Sequence, residues 1–129
     1  VESEASSWAL NDFIRTHPQF SEKYIENGQL PTFKKLFQLY QESDPLAKDV
    51  VQHCLQAWSA GIVNLIHAYD PEIVIVGGGV MDSSQHILPF IRQWVDKHAW
   101  TPTAKVKIAK AKNINTSALL GVGYLLENK

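Results

Sequence analysis

The chain has 129 residues, 45% of them hydrophobic, and a formal net charge of -1. That is enough apolar material for one domain with a real core, and it excludes a disordered segment. With no basic cluster, nucleic-acid binding through this segment is excluded, and a single cysteine, Cys54, rules out a disulfide or a cysteine-cluster metal site within the chain. The lone thiol suits a reducing cytoplasm, and no apolar run is long enough to cross a membrane.

Residues 6 to 17, SSWALNDFIRTH, place Trp8, Phe13 and Ile14 at helical spacing behind serines that can cap, and Pro18 ends the pattern. Asn27 and Gly28 mark a turn. A second short helix follows, with Phe33, Leu36, Phe37 and Tyr40 on its apolar face. Asp44 and Pro45 then read as an N-cap followed by proline at the first helical position. From there apolar residues recur from Ala47 to Tyr69, which predicts one long amphipathic helix stopped by Asp70 and Pro71.

The next stretch, EIVIVGGGVM, is the most informative. Ile73 to Val76 is apolar at every position, so the pattern predicts a strand covered by helices on both faces. It ends in Gly77, Gly78 and Gly79, and a helix is expected from Ser83 and Ser84. Glycines at such a turn can take positive φ and expose bare N–H groups, both suited to a nucleotide's phosphates or ribose. A tight turn that binds nothing is the alternative. The dinucleotide-binding fingerprint fails, because Asp82 stands where its third glycine or alanine belongs and no acidic ribose reader follows.

Ile87, Phe90, Ile91, Trp94 and Val95 define a helix of some fifteen residues that fades near His98, with Pro102 beyond it. Lys105 to Lys110 alternates lysine with Val106 and Ile108, predicting a strand with one wet face. Asn115 or Thr116 caps a last helix, SALLGVGYLLE. Gly121 and Gly123 cost that helix about 1 kcal/mol each against alanine, which calls for a close helix-to-strand or helix-to-ligand approach. Trp58 and Trp94 sit on apolar helical faces and read as core, while His53 and His67 read as ordinary surface or boundary residues.

In this order the motifs resemble the C-terminal part of the ROK family, cytoplasmic sugar kinases and sugar-responsive repressors on the actin-like, ribonuclease-H-like α/β fold. The opening VESEASSWAL is similar to the stretch after that family's zinc loop, where a glutamate two residues beyond the last cysteine contacts the sugar. The block from Ser43 to Val80 resembles the long helix, Asp-Pro stop and nucleotide turn, and NTSALLGVGYLL resembles the terminal helix. Ser7, Thr116 and Ser117 depart from the family pattern.

The resemblance implies a helix-rich C-terminal lobe segment over residues 1–129, with two strands here and the others upstream. It implies Glu2 as a sugar-binding residue and Gly77, Gly78, Gly79 and Val80 as the nucleotide-binding turn of an ATP-dependent kinase for a hexose or N-acetyl amino sugar. ATP with Mg2+ is the implied cofactor and a homodimer the implied assembly. The catalytic aspartate, the first phosphate loop and a structural zinc are expected before Val1, so the segment alone should be inactive. A sugar-sensing repressor and a non-catalytic oligomerisation module are the alternatives. Without the resemblance, Glu2 would read as a solvated carboxylate.

Overall fold

The computed structural model describes residues 2–101, 105–112 and 116–127. It begins with a short helix α1 (Glu2–Ala5), then α2 (Ser7–Thr16), a 3-10 turn (Glu22–Tyr24), α3 (Phe33–Gln41) and the long α4 (Pro45–Tyr69). Strand β1 (Ile73–Val76) runs into a 3-10 turn (Gly79–Ser83), followed by α5 (Ser84–His98), β2 (Lys107–Lys110) and α6 (Ser117–Glu127). The α4 boundaries match the sequence signals. The Asp44 carboxylate accepts from the Ala47 N–H at 3.0 Å, and Asp70 ends the helix in the left-handed region at φ 43°. Asp44 also accepts from the Tyr24 hydroxyl at 2.8 Å, tying the segment before α3 to the start of α4. Burial, and then that bond to Asp44, raise the Tyr24 hydroxyl pKa.

The expected turn at Asn27 and Gly28 is present, with φ of 51° and 76°, bracketed by a Glu26 to Gln29 bridge. Strands β1 and β2 pair in parallel, Val74 opposite Ile108, and α5 makes the crossover between them. The Arg92 guanidinium of α5 donates to the Ile108 carbonyl at 3.1 Å, fastening the crossover to β2. The core is centred where α3, α4 and α5 meet the turn after β1: Leu36, Leu46, Ile66, Met81, Ile87 and Ile91 are fully buried.

Two expectations are corrected. β1 is covered on one face only, since Ile73 and Ile75 are 44% and 63% exposed while Val74 and Val76 pack against the core. An apolar strand reports that both faces suit burial, and among the described residues nothing covers the second face. At Gly121 and Gly123, a Cβ would meet nothing within 4 Å among the described residues, so no strand of this segment makes the expected close approach. Leu119, Leu120, Val122, Leu125 and Leu126 of the same helix are exposed. The β2 pattern holds, with Ile108 buried between exposed Lys107 and Lys110. The expected features at Pro102 and Asn115 lie outside the described residues, and α1 was not read from the sequence.

Candidate functional site: a cleft at the glycine turn

The three glycines differ in what they do. Gly78 has φ 96° and ψ 165°, a region essentially open to glycine alone. A Cβ on Gly77 would meet the Ala111 Cβ at 3.4 Å, an ordinary contact, so the ends of β1 and β2 pack closely here without demanding glycine. Gly79 has neither feature: its φ is not positive and nothing lies within 4 Å of a Cβ built on it. The turn is anchored from below by Met81, which is fully buried and whose N–H donates to the Gly78 carbonyl at 3.0 Å.

Above the turn lies an open cleft of about 950 Å³, within the size range of small-molecule sites. Gly79, Val80, Asp82 and Ser83 form one wall. The second wall runs from the junction of α1 and α2 along one face of α2, with Ser6, Ser7, Asn11 and Arg15. The third is the entry to α3, with Thr32, Phe33 and Lys34, and Trp58 of α4 closes the back. Ser6 and Thr32 cap α2 and α3, accepting from the Ala9 and Lys35 N–H groups at 3.4 Å each, so the first turns of two helices border the cleft. Helix starts of this kind carry partial positive charge.

Arg15 and Lys34 line the cleft without an ion pair or hydrogen bond among the described residues. The neighbouring Lys35 is engaged instead with Glu26 at 2.8 Å, and that hydrogen bond raises its pKa. Trp58 is half-buried; its indole N–H donates to the Ala5 carbonyl at 3.0 Å and its ring lies 5.4 Å from that of Phe33. It is thus part core, as its helical position suggested, and part cleft wall. Trp58 and Val80 also border a second, apolar cavity of about 480 Å³ between α4, α5 and the end of β1.

Of the residues singled out from sequence, Gly79 and Val80 line the cleft, Gly77 and Val80 the apolar cavity, and Gly78 neither. Glu2 is exposed and lies outside the cleft, one helical turn before Ser6, whose N–H donates to the Glu2 carbonyl at 3.3 Å. Glu4 meets His53 at 3.2 Å, which holds α1 to α4. His67 accepts from the Trp100 N–H at 3.0 Å, and Trp94 stacks on Phe90 at 5.8 Å. Sequence reasoning missed Arg15, Lys34 and the cleft role of Trp58. The available signal was two capped helices, with Lys34 in the first turn of α3 and Arg15 four residues after Asn11 on one face of α2, in that helix's last turn. Cys54 takes no part: burial pushes its thiol up to about 11, which keeps it protonated and unreactive.

The sequence model of the ROK family matches residues 1–129. The chain belongs to the ROK family. Among relatives of this ROK chain, a glucokinase of Halalkalibacterium halodurans is 29% identical over 112 residues, 86% of this chain and 34% of that protein. A beta-glucoside kinase of Klebsiella pneumoniae is 28% identical over 93 residues, 72% of this chain and 30% of that protein. Among solved structures, the ROK hexokinase of Thermus thermophilus superposes with a TM-score of 0.68 at 24% identity, covering 99% of this chain and 42% of that one. A ROK family glucokinase of Streptomyces griseus, in complex with glucose and AMPPNP, gives 0.67 at 24% identity over 96% of this chain and 43% of that one. The fold is therefore the actin-like fold of ROK sugar kinases, and the chain spans well under half the length of each of these proteins.

Proposed function

We propose that these residues belong to an ATP-dependent kinase that phosphorylates a hydroxyl of a hexose or N-acetyl amino sugar. In this reading Gly77, Gly78, Gly79 and Val80 form the nucleotide turn and Glu2 accepts hydrogen bonds from the sugar. The observation that carries it is the cleft above the turn: the Gly79 backbone, two helix starts and two cations with no partner among the described residues border one space of about 950 Å³. Those are groups that a polyphosphate would engage. The glucokinase and beta-glucoside kinase relatives, and the Streptomyces griseus glucokinase with glucose and AMPPNP, support the same reaction class.

Phosphoryl transfer asks mainly for positioning and charge neutralisation, with a base to take the hydroxyl proton. Mg2+ bound with the nucleotide would supply charge neutralisation at the phosphates. The cleft residues would hold the nucleotide, and Glu2, one helical turn from the Ser6 wall, would orient the acceptor sugar beside it. The base and the first phosphate loop are expected elsewhere in the full-length protein, so residues 1–129 alone should not turn over sugar.

Glu2→Gln in the full-length protein is expected to raise the sugar dissociation constant, by about 1.5–3 kcal/mol for a charged hydrogen bond, with ADP affinity unchanged. Calorimetric titration with sugar and with ADP, separately, measures both. Unaltered sugar affinity would reduce Glu2 to a surface carboxylate, and absence of ADP binding by the parent protein would end the kinase reading.

A further inference from the structure

The back of the cleft is aromatic, which the glycine turn does not require. Phe33 and Trp58 come from different helices, meet at 5.4 Å with their planes tilted by 56°, and both line the space that Gly79 and Val80 border. Trp58 is held in place by its indole N–H bond to the Ala5 carbonyl at 3.0 Å, so its ring is positioned without a ligand. Its donor is already used, leaving the ring surface as its remaining means of contact. Two cations, Arg15 and Lys34, line the same cleft without partners among the described residues. A ligand suited to this set has a flat aromatic portion and a multiply charged anionic portion.

We propose that Trp58, with Phe33, is the nucleobase platform of this cleft and that Arg15 and Lys34 engage the phosphate chain of the same nucleotide. This rests on the nucleotide reading above and adds to it the residues that hold each end of the ligand. Base stacking on an aromatic side chain tolerates any base, because every base presents a π-face. The platform therefore contributes affinity and leaves base selection to polar groups such as the Asn11 amide, which also borders the cleft. The cations contribute a salt-sensitive share, since both are on the exposed side of the cleft.

The test uses the full-length protein and three probes: ADP, adenosine, which lacks the phosphates, and inorganic tripolyphosphate, which lacks the base. Trp58→Ala is expected to weaken ADP and adenosine by about tenfold or more and to leave tripolyphosphate unchanged, with Trp58→Phe restoring adenosine. Arg15→Gln combined with Lys34→Gln is expected to do the reverse, weakening ADP and tripolyphosphate and sparing adenosine. Parent-like adenosine affinity in a folded Trp58→Ala protein would overturn the platform, and parent-like tripolyphosphate affinity in the double variant would overturn the cation assignment. Should Trp58→Ala fail to fold, Phe33→Ala carries the same expectation and the same refutation. A parent protein that binds no ADP would overturn the nucleotide reading itself, a result distinct from ADP binding that is indifferent to Trp58.

Discussion

Gly78→Val in the full-length protein is expected to weaken ADP binding by roughly one to two orders of magnitude while leaving sugar affinity nearly unchanged. The reason is conformational. At φ 96° and ψ 165° a β-branched residue is strained by about 1–3 kcal/mol, although nothing stands within 4 Å of its Cβ. The turn can relieve the strain only by rotating the peptides that present Gly79 and Val80 to the cleft. At about 1.4 kcal/mol per tenfold, a turn that must return to the strained shape to bind loses affinity on that scale. Calorimetry with ADP and with sugar separates the two effects, and equal ADP affinity in variant and parent would remove the turn from the nucleotide site.

The second large effect is on stability. Met81 is fully buried under the turn, in the same core cluster as Leu36, Ile87 and Ile91. Met81→Ala is expected to cost about 2–5 kcal/mol, the lost transfer energy plus the cavity left behind. Met81→Leu, which nearly keeps the volume, should cost less than about 1.5 kcal/mol. Chemical denaturation of the full-length protein gives both values. If Met81→Ala were as stable as Met81→Leu, the turn would not be anchored through this side chain. A loosened anchor should also lower ADP affinity, because the Met81 N–H holds the Gly78 carbonyl at 3.0 Å.

What the sequence made legible was local. Asp44 with Pro45 and Asp70 with Pro71 are short-range signals, and they bound α4 at both ends because capping and the steric demands of proline act within a few residues. The apolar run of β1 was equally plain, but which of its faces is covered depends on segments far away in sequence. The four apolar positions of Ile73–Val76 therefore overstate the burial they have in this chain. The glycines of α6 mislead in the same way: a helix interior glycine reports a cost, and nothing in the described structure shows what offsets it.

The cleft was the least legible feature. It joins Ser6, Arg15 and Lys34 to Gly79 across more than forty residues of intervening chain, through the packing of α2 and α3 against α4. Periodicity placed Trp58 on an apolar face correctly, yet the edge of that face opens on the cleft, and one-dimensional spacing cannot distinguish an edge from a centre. Glu2 illustrates the converse. Nothing in its exposure or contacts sets it apart, and its assignment to the sugar comes through the family resemblance.

Gly79 offers the most direct test that the turn exists to hold a nucleotide. Its backbone does not need glycine and its surroundings leave room for a side chain, so Gly79→Leu should fold with parent stability, within about 0.5 kcal/mol, while filling the cleft at the turn. Titrating the full-length Gly79→Leu protein with ADP, alongside its denaturation curve, decides the matter. Parent stability with ADP binding lost is the predicted result; parent stability with ADP affinity intact would contradict the account.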